Sequence, residues 1–188
     1  MFYLWFLRFF RPFIIAYGSW YVSFKKPLVG DEQLDIAEQV IKRGDFILTY
    51  KIGEATNLGI PGEYKHLGIY LGNGKVIEAV GSGVRVVRLD GFLYRKDKFR
   101  ITRDTLLSPS SINAMIDWLY KQEGQRYDMD LSPENGMFYC YELGAVGYER
   151  VKGNKMCKFK SLGAEFYTDK TFIECDLFSD VYEFKGKI

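Results

Sequence analysis

The stretch 65–80, KHLGIYLGNGKVIEAV, decides how this chain is read, and it holds the only histidine among 188 residues. Apolar residues alternate with polar or small ones on both sides of Gly72-Asn73-Gly74, the pattern of two strands, His66 to Leu71 and Lys75 to Val80, joined as a hairpin. A three-residue loop with Gly74 in the left-handed conformation sets Leu71 opposite Lys75, Gly68 opposite Glu78 and His66 opposite Val80. His66 and Glu78 then share a face one diagonal step apart, and Gly68, having no side chain, leaves room between them. A two-residue Asn73-Gly74 turn would send Glu78 to the other face. The longer loop is expected because it unites Leu67, Ile69, Leu71, Ile77 and Ala79 on one buried side.

A histidine held by a carboxylate is half of a catalytic arrangement, and the other half is a nucleophile from elsewhere in the fold. Cys140, in GMFYCYELGAVGYERV (136–151), is the best candidate. Leu143 and Val146, with Gly144 and Ala145, read as the apolar face of a helix that begins near Cys140. A thiol at a helix N-terminus lies at the positive end of the macrodipole, which favours thiolate. Cys140 as nucleophile, His66 as base and Glu78 as the carboxylate that orients the imidazole would form a triad defined by roles, not by chain order. On spacing alone, Cys140 reads more readily as a small buried residue. Tyr127 could donate to a developing oxyanion, or it could simply be packed under a loop.

The pieces GDFIL (44–48), KHLGIYLG (65–72), KVIEA (75–79), GVRVVRLDGF (83–92), YD (127–128) and YCYEL (139–143) resemble, in order, those of the circularly permuted NlpC/P60 superfamily. Within it the chain is most similar to the bacterial YiiX/YaeF-type permuted papain-like amidases, and less so to a related poxvirus protein. The resemblance covers roughly residues 32–150. It implies an α+β, permuted papain-like fold, with an antiparallel sheet or barrel packed against a helix bearing the cysteine and with the histidine strand preceding that helix. It also implies Cys140 as nucleophile, His66 as base and Glu78 as third member. Tyr127 of the YD motif, with Gly68 and Tyr139, completes the candidate set as substrate-contacting positions. Cell-wall (peptidoglycan) peptide amides are the substrate class that follows from the resemblance.

The length suits one domain, residues 31–188, preceded by an extension over 1–30. A net charge of +2 is too balanced for a nucleic-acid footprint. Three scattered cysteines indicate neither a disulfide framework nor a zinc knuckle, so no metal or other cofactor is expected. Oligomeric state is not set by the sequence. Residues 2–24 carry eleven aromatics and two charges, Arg8 and Arg11. With Pro12 and both arginines near the middle, an in-plane or partly inserted membrane anchor fits better than a spanning helix. An aromatic arm packed on protein is the alternative. An anchor would hold the site beside a bilayer, which adds lipid-linked amides or esters as substrates and points to a membrane, cell-envelope or virion location. A non-catalytic scaffold component of such a structure is the competing reading.

Elsewhere, Gly30-Asp31 opens a short helix stopped by Gly44, Phe46 to Tyr50 reads as a strand, and 51–64 as a long loop suited to a lid or a surface excursion. Val84 to Leu89 reads as an edge strand with Arg85 and Arg88 on its solvated side. Asp90 to Tyr94 reads as a short turn or a single helical turn, and Lys98 to Thr102 as a strand. Ser108-Pro109 starts a core helix through Ile112, Met115, Ile116 and Leu119 that ends by Gly124. A final strand is expected around Val181 to Phe184.

Overall fold

A computed structural model describes residues 26–52, 62–129, 131, 135–161 and 164–186. The aromatic stretch 2–24, most of the 51–64 loop and the Ser132-Pro133-Glu134 turn lie outside the described residues, as do the readings made of them.

The chain runs α1 (Asp31–Val40), β1 (Phe46–Tyr50), β2 (His66–Gly72), β3 (Lys75–Val80), β4 (Gly83–Arg88), α2 (Leu89–Leu93), β5 (Lys98–Arg103), α3 (Pro109–Tyr120), α4 (Cys140–Lys152), β6 (Phe159–Ser161), β7 (Ala164–Phe166), α5 (Lys170–Ile173) and β8 (Ser179–Lys185). Six strands form one antiparallel sheet in the order β4-β3-β2-β1-β5-β8, and β6-β7 is a separate small hairpin. This is the α+β arrangement that the family resemblance implies. The sheet divides the core in two. Leu67, Ile69, Leu71, Ile77, Ala79 and Val84 pack with α3 and α4 on one side, whereas Ile47, Val76, Phe99 and Ile101 pack with α1 and α2 on the other. Val29, just ahead of α1, already belongs to this second core, and its N–H bonds the Lys96 carbonyl at 3.1 Å.

Local chemistry accounts for the element ends. The Ser108 hydroxyl accepts the Ser111 N–H at 3.1 Å, and Pro109 occupies the first turn of α3, where its missing N–H costs nothing. Helix α4 stops at Gly153, whose φ of 80° suits a residue without a side chain. Its Gly144 lets the helix lie close on β2, since a Cβ there would come within 2.6 Å of Leu67 Cδ2. The late apolar residues build an aromatic cluster, with Phe46 4.9 Å from Phe172 and 5.4 Å from Phe178 between ring centroids. Such pairs contribute about 0.5–1.5 kcal/mol each beyond their buried area.

The β2–β3 turn differs from the expected three-residue loop. The chain turns on Asn73 and Gly74 alone, with φ of 53° and 69°, and Gly72 pairs with Lys75. The register nevertheless sets Gly68 opposite Glu78, because a bulge between Tyr70 and Gly72 inserts one residue and cancels the parity change of the shorter turn. The conclusion about faces therefore stands on a bulge, which strand alternation cannot reveal.

Candidate active site

His66 is the first residue of β2, and the chain entering it is tied down from three sides. Asp169, buried ahead of α5, accepts the Glu63 and Tyr64 N–H groups at 2.6 and 3.0 Å. The Tyr141 hydroxyl of α4 donates to the Tyr64 carbonyl at 2.8 Å, and the Lys65 N–H bonds the Thr49 carbonyl at 2.9 Å. Tyr141 directly follows Cys140, so the same helical turn that presents the thiol also holds the approach to the histidine strand.

His66 Nε2 and Glu78 Oε2 are 2.7 Å apart, with the two side chains 13% and 6% exposed. The remaining ring nitrogen, Nδ1, is left for the Cys140 side chain, which lies against the imidazole. Burial by itself pulls the imidazole pKa down, but the hydrogen bonds with Cys140 and Glu78 outweigh it and raise the pKa to about 9. For Glu78 burial pushes upward, and the hydrogen bond to His66 with the charges of His66 and Arg85 brings the carboxyl down to about 2. The Phe92 ring lies 5.7 Å from that of His66.

Cys140 is the first residue of α4 and only 1% exposed. Tyr127 lies against it, with its phenol beside both the Cys140 backbone N–H and the sulfur. Burial, then the neighbouring Cys140, pushes the phenol well above its ordinary range, so it stays an O–H donor. A parallel bridge between Tyr127 and Phe138 lays this loop alongside the approach to Cys140. The structure thus brings Cys140, His66, Glu78 and Tyr127 into one cluster where helix and sheet ends meet.

Two sequence candidates are placed differently. Gly68 does not open space for substrate: it is buried, and a Cβ there would meet Val76 Cγ1 at 2.6 Å and Phe92 Cζ at 2.7 Å, so packing fills the room its missing side chain leaves. Tyr139 is 7% exposed, and its hydroxyl accepts the Tyr167 N–H at 2.8 Å, which commits it to the fold and not to a ligand.

Two charged residues at the site were not singled out by sequence. Arg85, read as the solvated side of an edge strand, donates from Nε to Glu78 Oε1 at 2.9 Å and places Nη2 2.8 Å from the same oxygen. The signal was present: a two-residue Gly81-Ser82 turn pairs Val80 with Gly83, which puts Arg85 directly opposite Glu78. Glu142, two residues after Cys140, is 9% exposed and lies near buried Asp128 of the YD pair. Its carboxyl lies beside the Tyr139 N–H, and Oε2 has no hydrogen-bond partner among the described residues. Burial first, and the Asp128 charge second, raise it to about 7.

The sequence pattern of the permuted papain-like amidase enzymes, the YaeF/YiiX, C92 family, matches residues 40–180. The chain belongs to this family. It is 28% identical over 116 residues to the Escherichia coli K12 protein named probable lipoprotein peptidase YaeF, covering 58% of this chain and 42% of that one, so the match spans less than half of the curated relative. The crystal structure of yiiX from Escherichia coli O157:H7, titled a metalloprotein, superposes with a TM-score of 0.66 at 17% identity over 78% of this chain and 99% of that one, which shows a shared fold. A metal finds no ligand set among the described residues. Among the described residues no three His, Cys, Asp or Glu side chains stand close enough to hold one, and the single histidine is engaged by Glu78 and Cys140.

Proposed function

We propose that this member of the amidase family hydrolyses amides or acyl esters through Cys140, His66 and Glu78. The observation that supports this most is the imidazole held between Glu78 at 2.7 Å and the thiol at the start of α4. His66 Nδ1 takes the Sγ proton, and the thiolate attacks the carbonyl carbon. The tetrahedral oxyanion takes the Cys140 N–H together with the Tyr127 O–H. As the intermediate collapses, Nδ1–H protonates the leaving nitrogen or oxygen. Nδ1 then removes a proton from the water that cleaves the thioester. Glu78 remains ionised throughout, holding Nε2–H and balancing the imidazolium.

Cell-wall peptides and lipid-linked amides or esters are the two substrate classes. The second is favoured by the name of the YaeF relative and by residues 2–24, whose aromatic composition suits an anchor at a bilayer surface. Among the described residues no helix is long and apolar enough to cross a membrane. The near-complete burial of Cys140 favours one competing reading, a scaffold that keeps the fold with little turnover. Iodoacetamide labelling separates the two: the hydrolase alkylates at Cys140 below the pH where a free thiol reacts and slows at least tenfold with His66→Ala, whereas the scaffold stays unlabelled. Peptidoglycan fragments and a diacylated lipopeptide then serve as substrates. Equal hydrolysis of both by the parent and Cys140→Ala would end the catalytic assignment.

A further inference from the structure

The chemistry around Glu78 does not end with the histidine. A lone carboxylate beside an imidazole can turn about its final bond and present either oxygen, or neither, to Nε2. Here each oxygen has its own partner, Oε2 with His66 at 2.7 Å and Oε1 with Arg85 at 2.9 and 2.8 Å. The partners come from opposite sides: His66 from β2, and Arg85 from β4, where the register sets it directly across from Glu78. The arginine stem lies along an edge strand, and its side chain is 53% exposed while that of Glu78 is 6% exposed. Among the described residues, the only cation bonded to this buried carboxylate, apart from the imidazole, thus reaches it from the solvent side.

Resting on the catalytic reading above, we infer that Arg85 is a positioning residue of the site: by fixing one oxygen of Glu78 it aims the other at His66 and keeps the imidazole directed at Cys140. Arg85 touches neither the sulfur nor the imidazole, so it acts through Glu78. A planar guanidinium that delivers two N–H groups to one oxygen restricts the carboxylate plane in a way a lysine ammonium cannot fully reproduce.

The test uses the full chain and iodoacetamide as the probe of Cys140, with Cys157→Ser and Cys175→Ser in every variant so that one thiol is read. Arg85→Ala slows alkylation at pH 6 about fivefold, in keeping with a half-exposed ion pair, and moves the pH midpoint of the rate upward. Arg85→Lys restores part of the rate. With Glu78→Gln already present, Arg85→Ala changes the rate less than twofold, because the group it acts through no longer takes part as a carboxylate. A full fivefold loss that persists in Glu78→Gln overturns the inference and makes Arg85 an independent contributor of charge. An unchanged rate and midpoint in Arg85→Ala, while His66→Ala still slows the parent, overturns it and leaves the catalytic reading intact. Indifference of the parent to His66→Ala removes both. Because the arginine head lies at the surface, Arg85→Ala keeps the thermal midpoint of the parent within a few degrees, and the rates are compared below it.

Discussion

Glu78, the carboxylate of the candidate triad, and Glu142, two residues after Cys140, are both buried, and their surroundings drive them in opposite directions. Glu78 faces a histidine and an arginine and is held down to about 2, while Glu142 faces Asp128 and rises to about 7. Burial raises both, so the neighbours and not the depth decide the charge. Where cations meet the carboxylate it can serve as a permanent anion behind the imidazole. Where a second carboxylate meets it, it holds its proton up to about pH 7 at the turn that starts the Cys140 helix, and below that pH it adjoins Asp128 without like-charge repulsion.

The sharpest way to break this contrast is Glu78→Ala. It leaves His66 and Arg85 without their shared anion, and urea denaturation at pH 7 should register a loss of about 3 kcal/mol, the range for removing one partner of a buried ion pair. The loss should depend on pH. Glu78 is lowered from 4.5, so its contribution is present above 4.5 and fades as pH falls towards 2. His66 is raised from 6.5, so its contribution is complete below 6.5 and is lost as pH rises through about 9. The difference between parent and variant should therefore be greatest between these limits, and a difference that stays constant from pH 3 to pH 10 would contradict the ion-pair account.

A smaller effect is expected from Gly68→Ala, which adds a methyl group where Val76 and Phe92 already meet. Overpacking should cost about 2 kcal/mol in the same denaturation assay. Shifting the Phe92 ring beside His66 should also slow Cys140 alkylation. If Gly68 instead faced open space, the variant would be neutral.

The smallest effect has the opposite sign. Glu142 is raised from 4.5 to about 7, so what it contributes is full below 4.5 and disappears as pH rises through 7. Glu142→Gln keeps the shape of the side chain and never ionises. It should gain on the order of 1 kcal/mol over the parent at pH 8 and nothing at pH 4, read from urea midpoints at the two pH values. A loss at pH 8 would mean that the ionised carboxylate is the form the fold requires.

Much of this arrangement was legible in particular residues. Alternation in 66–71 and 75–80 identified the hairpin, its buried side and the shared face of His66 and Glu78. Ser108-Pro109 located the start of α3, and the small apolar run after Cys140 located α4. The turn was misread because Gly72, Asn73 and Gly74 all accept positive φ, so composition does not distinguish a longer loop from a two-residue turn with a bulge. Gly68 and Tyr139 were misassigned for a related reason: a missing side chain reads as space and a tyrosine as a contact, until Phe92 and the Tyr167 backbone occupy them. Arg85 could have been found by counting back from Gly81-Ser82. The small β6–β7 hairpin and α5 carry too few residues for a period to be recognised.

What the amino-acid order by itself determined was local: periods, caps and turns, which follow from backbone geometry and from which face of each element must leave water. What only the folded chain decided was the company each polar group keeps. Cys140 meets His66 across 74 positions of sequence, and Glu142 adjoins Asp128 across a loop with no repeating pattern. The electrostatic energy of a buried charge depends on the few ångströms around it, and those distances are set by how the sheet ends and α4 pack together.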